Sequence, residues 1–230
     1  MVPVGVMANA AASLLGGLLG CMMKKWIPQR FQDELPVVFG YCAMAIGVNS
    51  IIKAQNMAAV VMAVILGSCI GGALMLECRA KGLLRSAASR LFGPAGAADG
   101  MDQELLATVA ALFCFSGFGW YGALMESLTG SAEILISKSV LDFFTAALFA
   151  VLLGRVICML PFAQFAVLLA VYGTGRLCGA LLPQAALANL SAVGGILTLA
   201  TGFRVAKIKS VAIFDMVPAL VLVFPLSMLL

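Results

Sequence analysis

The sequence predicts an all-α, polytopic membrane protein of about eight transmembrane helices, with an inverted three-helix repeat (helices 1–3 and 6–8) around a middle helix pair. Three observations predict it. Apolar residues make up 63% of the 230 residues and charged residues 10%, against about 45–50% and about 25% in soluble domains. Nearly every stretch between charge clusters is long enough to cross about 30 Å of hydrocarbon at about 1.5 Å per residue. Residues 11–47 recur without a gap at 166–202, with ten of 37 positions identical, including Pro28-Gln29/Pro183-Gln184, Gly40/Gly195 and Gly47/Gly202.

The elements follow in order. The first apolar run, 4–23, has no Lys or Arg before Lys24. It lacks the basic start of a cleavable signal and is expected to remain as helix 1. Helices 2 and 3 are predicted over 35–52 and 57–76. The longest polar stretch, Glu77 to Glu104, is interrupted by Leu83, Leu84, Leu91 and Phe92 and leaves nothing for a soluble domain. Helices 4 and 5, over 104–125 and 132–154, form the middle pair. Helices 6, 7 and 8 are predicted over 161–182, 189–203 and 210–229. The chain is thus one transmembrane domain: repeat 1 at 4–76, the middle pair at 104–154, repeat 2 at 161–229.

Loop charge orients these helices. Lys24, Lys25, Arg30, Arg79, Lys81, Arg85, Arg90, Arg155, Arg204, Lys207 and Lys209 fall on one side, and only Lys53 on the other. A positive-inside bias of this size puts both termini outside the cytoplasm. The repeat agrees. The 24–34 loop carries three basic residues and its equivalent at 179–189 none; 204–209 carries three and its equivalent at 49–54 one. Reversed loop charge on similar chain is what oppositely inserted copies require, and such repeats are common in transporters.

Composition excludes much chemistry. There is no His, and the seven Cys are scattered singly, so neither a metal ligand set nor a disulfide framework is expected. No nucleotide loop, nucleophile elbow or zinc motif occurs. No cofactor, no nucleic-acid partner and no enzymatic activity are expected. The net charge of +4 belongs to the membrane-flanking loops.

Candidate functional residues are few. Asp142 lies near the middle of helix 5, with Lys138 one turn earlier on the same face and Ser137 and Ser139 flanking the lysine. Intramembrane ionisable residues mark ion or substrate paths, although the same pair can simply fix packing. Asp215 is placed in helix 8 ahead of Pro218, which removes a donor and frees the Phe214 carbonyl. Carboxylate and carbonyl together suit a cation; pairing with Lys207 and Lys209 is the structural alternative. Gly117, Gly119 and Gly122 interrupt helix 4, and Glu126 begins a polar turn. Gly-broken helices line transporter sites, while Trp120 and Tyr121 read equally as interfacial anchors. Gly40/Gly47 and Gly195/Gly202, seven apart on the short helices 2 and 7, suggest close crossing at a symmetry axis. Asn49 and Arg204 occupy equivalent positions as candidate entrances, Arg204 reading more readily as an ordinary cytoplasmic anchor. The pairs Gly16/Gly20, Gly67/Gly71 and Gly175/Gly179 are compatible with a homodimer.

Ser137-Lys138-Ser139-Val140-Leu141-Asp142, Leu190-Ser191-Ala192-Val193-Gly194-Gly195 through Thr201-Gly202, and Val217-Pro218-Ala219-Leu220 resemble the bacterial membrane family known as domain of unknown function 554, over nearly the whole chain from Asn9. The resemblance implies a bacterial inner-membrane protein with a transport role and names no substrate. Phe143 stands where the family pattern has Gly, Arg204 where it has Asn, and Ser131 where it often has Asp. The expectation is therefore a secondary transporter or facilitator of a small solute or ion, its partners the bilayer and that solute. A passive channel and a non-transporting scaffold are the alternatives.

Overall fold

The structure, a computed structural model, describes residues 2–26, 28–92, 103–178 and 183–229. Gly179 lies outside the described residues. Among the described residues the chain is helical and contains no strand. In hydrocarbon the backbone has to satisfy its own hydrogen bonds, and a helix does so within one segment.

Helix α1, Val4–Met23, matches the first predicted helix. Helix α2, Gln29–Ile51, is 23 residues long, not short. Its first turns are polar and include an exposed Arg30–Glu34 ion pair of 2.9 Å, so hydropathy alone misplaced its start. Helix α3, Met57–Ala73, is capped by Asn56, whose side chain accepts from the Ala59 N–H at 3.1 Å. Met75, at φ 51°, precedes helix α4, Leu76–Phe92, and α3 and α4 meet at a bend of 61°.

The predicted fourth helix is two helices. Helix α5, Gln103–Phe115, and helix α6, Gly117–Thr129, are separated by Ser116, whose hydroxyl caps α6 by accepting from the Gly119 N–H at 3.2 Å. Helix α6 runs on through Glu126 and ends at left-handed Gly130, so Glu126 is helical and does not begin a turn. Helix α7, Glu133–Leu153, gives way at Gly154 (φ 69°, ψ −150°) to a 3-10 segment, Gly154–Met159, and then to helix α8, Leu160–Cys178. Helix α9, Gln184–Val205, has 22 residues against the 15 predicted. The last predicted helix starts later than expected: a 3-10 turn, Phe214–Met216, leads to helix α10, Ala219–Leu229.

Four helical stretches are long and apolar enough to cross a membrane, or five if the bent α3–α4 pair is one span. One of the four, Glu133–Leu177, has 45 residues, about twice what one crossing needs. It reverses within itself. Gly16 and Gly20 of α1 lie on Phe143 and Ala147 of α7, while Gly17 faces Ile157 and Cys158 and Ser13 bonds Gln164. Helix α1 therefore runs parallel to α7 and antiparallel to α8. With the shorter apolar pieces Pro36–Ile51 and Phe214–Leu229, the eight predicted helices fit the fold.

Small residues set the packing, because helices in lipid gain from close backbone approach and not from hiding apolar surface. Helices α2 and α9 cross antiparallel. A Cβ on Gly47 would stand 2.7 Å from the Gly195 carbonyl oxygen, and one on Gly40 2.8 Å from that of Gly202. Helices α3 and α10 approach through Gly67 at Ala219, with Gly71 on the backbone of Asp215. Gly175 meets Ser127 and Leu124 of α6. The described GxxxG glycines are thus occupied within the chain, and their faces are not available for a second copy.

Candidate functional site

Five polar side chains meet where α1, α7 and α8 touch. Asn9 and Ser13 come from α1, Lys138 and Asp142 from α7, and Gln164 from α8; all are buried. Asp142 Oδ2 accepts from Asn9 Nδ2 at 2.9 Å and from Gln164 Nε2 at 2.6 Å. It also forms a close ion pair with the Lys138 ammonium. Gln164 Nε2 further donates to Asn9 Oδ1 at 2.7 Å, and the Ser13 hydroxyl bridges Gln164 Oε1 and the Asn9 carbonyl at 3.0 and 2.9 Å.

A carboxylate at the centre of a span costs about 2.5–3.5 kcal/mol on insertion scales. Interhelical hydrogen bonds in membranes average about 0.6 kcal/mol and reach about 1.7. At the average value the two amide donors offset less than half of that cost, and the Lys138 charge beside the carboxylate offsets more of it.

The pair is not wholly enclosed by packing. A cavity of about 30 Å³ is lined by Lys138, Asp142 and Leu141 of α7, Phe39, Ala43 and Ile46 of α2, Leu112 of α5, Ser116, Phe118 of α6, and Thr198 of α9. At roughly 10–15 Å³ for each water, it has room for about two or three. The Ser116 break opens directly onto it. A Cβ on Gly119 would stand 2.9 Å from Lys138 Cε, and Gly117 lies against the backbone of Gly194 on α9.

Of the other predicted residues, Glu126 lies toward one end of the bundle and Arg204 and Asp215 toward the other. Ser139 turns its hydroxyl to the Leu135 carbonyl of its own helix and takes no part in the network. Asn49 is exposed. Glu126, buried at the end where α1 begins, accepts the Gly5 N–H at 2.7 Å on Oε1. Trp120 donates to the Cys114 carbonyl at 2.9 Å, bridging the break between α5 and α6.

Asp215 is neither a cation site with a freed carbonyl nor a partner of Lys207 and Lys209. The Phe214 carbonyl accepts the Val217 N–H at 3.2 Å, and Asp215 Oδ1 accepts the Glu77 N–H at the start of α4 at 2.8 Å. Arg204 is no ordinary anchor either. Its buried guanidinium donates to Glu77 Oε1 at 2.7 Å and to the Val211 carbonyl at 3.1 Å, with Glu104 at 3.3 Å.

Sequence reasoning missed Asn9, Ser13 and Gln164. The signal was within reach: the repeat offset of 155 residues, extended two positions ahead of residue 11, pairs Asn9 with Gln164.

Residues 4–228 match the family model described as Protein of unknown function (DUF554). The chain is 36% identical over 231 residues to "Uncharacterized protein YqgA" of Escherichia coli (strain K12), covering 97% of this chain and 96% of that protein. It is 24% identical over 222 residues to "Uncharacterized membrane protein YdfK" of Bacillus subtilis (strain 168), covering 95% and 93%. No solved structure matches it.

Proposed function

The chain belongs to the DUF554 family, and from that premise we propose that it is a secondary transporter or facilitator, not an enzyme, moving a small solute or ion across the bacterial inner membrane. One observation carries the reading: Asn9 and Gln164, 155 residues apart, bond each other and both donate to Asp142. The same offset relates Gly40 to Gly195 and Gly47 to Gly202.

A two-fold axis exchanging the halves maps the Gly40–Gly202 contact onto Gly195–Gly47, and both contacts are present. It also maps the Asn9–Gln164 contact onto itself. Antiparallel approach of α1 to α8, α2 to α9 and α3 to α10 fits the same axis. The inverted repeat therefore supports a site at the interface of the halves near the bilayer midplane, where transporters of this construction hold their substrates. With the basic loops on the cytoplasmic side, both termini lie outside.

In this mechanism a cation reaching the cavity competes with Lys138 for Asp142, and the exchange couples occupancy to the packing of α7 against α1 and α8. The test uses full-length protein in lipid vesicles loaded with a pH-sensitive dye and challenged with Na+ or K+ gradients. Wild type is expected to give saturable flux that Asp142→Asn abolishes while the fold is kept. Equal flux from the variant overturns the mechanism. Non-saturating current in planar bilayers favours a passive channel instead. The three donors that converge on Asp142 Oδ2 support a third reading, a membrane scaffold, for which Asp142→Asn lowers only thermal stability. A homodimer, in any of these readings, has to use surfaces other than the described GxxxG faces.

A further inference from the structure

We propose that Glu126 is a proton-binding site on the side of the membrane where α1 begins, and that α1 carries its state to Asp142. Two buried carboxylates hold α1. Asp142 holds it through the Asn9 side chain, and Glu126 holds it through the Gly5 N–H. Gly5 and Asn9 are four residues apart, so both attachments lie on one face, one turn from each other.

The two carboxylates differ in compensation. Asp142 has Lys138. Glu126, 2% exposed, has no ion pair among the described residues, and its Oε2 is buried without a hydrogen-bond partner. A buried carboxylate left in that state carries a desolvation cost that binding a positive charge removes.

Space decides which charge. A Cβ on Gly5 would stand 2.9 Å from Glu126 Oε2, 2.9 Å from Leu135 Cβ and 3.1 Å from Ala132 Cβ. Oε2 thus shares the space beside Gly5 with two apolar side chains, and among the described residues no cluster of His, Cys, Asp or Glu could hold a metal ion; a proton needs no such ligand set. A hydronium gives its proton to Oε2 and leaves as water, and the carboxylate passes from charge −1 to neutral. The acceptor for the Gly5 N–H weakens with that change, because hydrogen bonds to ionised groups are about twice as strong as neutral ones.

Among the described residues, the charged groups on neighbouring helices at this end are Arg176 of α8, which reaches the Ser127 carbonyl at 3.5 Å, and Glu133 in the first turn of α7, which is exposed. Lys138 and Asp142 lie deeper along α7. Helix α1 brings no Asp, Glu, Lys or Arg.

The inference rests on the transport reading only for calling the proton a coupling ion; binding itself is read without transport. The experiment is an infrared pH titration of the full chain in lipid bilayers, with amide hydrogen exchange followed along α1. Wild type and Asp142→Asn are expected to show a titrating protonated-carboxyl band distinct from those of exposed carboxyls such as Glu34 and Glu133. The band is lost in Glu126→Gln and displaced in Glu126→Asp, the variant that carries the test if the Gln form does not fold. Exchange at the start of α1, corrected for its intrinsic pH dependence, rises on acidification in wild type and not in Glu126→Gln. No titrating band in wild type, or a band unchanged by both Glu126 variants, overturns the site. Flux lost in Asp142→Asn without such a band overturns the proton site and leaves the transport reading standing; the band without flux does the reverse.

Discussion

Gln164 donates to Asn9 at 2.7 Å across the α1–α8 contact, and the same Gln164 nitrogen reaches Asp142 at 2.6 Å. Each amide depends on the other for its orientation toward the carboxylate. Replacing Asn9 or Gln164 by Leu is expected to cost about 1–3 kcal/mol, the penalty for leaving a buried acceptor short of a donor. The double variant is expected to cost clearly less than the sum, because the two share one acceptor and bond each other. Reversible unfolding in mixed micelles measures the coupling; strict additivity would mean that the amides act separately.

The ion pair makes a sharper prediction. Lys138→Met leaves Asp142 buried without its counter-charge, and Asp142→Leu leaves Lys138 likewise. Loss of one partner from a buried pair costs about 3–5 kcal/mol, whereas replacing both by apolar groups is often neutral. The Lys138→Met/Asp142→Leu double variant is therefore expected to recover most of the stability lost by either single one, and to carry no flux. Recovered stability with intact flux would make the pair a packing device.

How much of this was legible in the sequence follows from which constraints are local. The spans were legible because hydrocarbon demands long apolar runs, and Lys138–Asp142 because charges there stand out. The starts of α2 and α9 were not, since polar residues such as Arg30 and Glu34 can continue a helix beyond the apolar run. The Ser116 break was visible as a run of glycines, but not that α6 continues past Glu126. Asn9 and Gln164 carry no charge and pass as tolerated polar residues within apolar helices. Arg204 was misread because Glu77 lies 127 residues away and reaches it only through the bend between α3 and α4.

The α2–α9 crossing has its own test. Gly47→Ala puts a methyl 2.7 Å from the Gly195 carbonyl oxygen, while the space around Gly72 is open within 4 Å. The first is expected to force the helices apart at a cost of about 1–3 kcal/mol, as overpacking does. Gly72→Ala is expected to be neutral or slightly stabilising through helix propensity. Distances between spin labels on α2 and α9 report the separation directly. An unchanged distance in Gly47→Ala would show that the backbones do not approach as closely as this.

At the opposite end of the bundle from Glu126, two carboxylates share Arg204 unequally. Glu77 is largely buried and binds at 2.7 Å, also accepting the Phe214 N–H at 3.1 Å; the Glu104 side chain is half exposed and stands at 3.3 Å. Exposed ion pairs contribute about 0–1 kcal/mol, whereas unpairing a buried charge costs several. Glu77→Gln should therefore destabilise the protein far more than Glu104→Gln. Its effect should be largely insensitive to salt, because buried pairs are screened little. Helix α4 should loosen with it, since the Glu77 N–H is held by Asp215 and its side chain by Arg204 and Phe214. Hydrogen exchange across α4 in the two variants distinguishes them: equal protection would mean that Arg204 does not fasten α4 to α9.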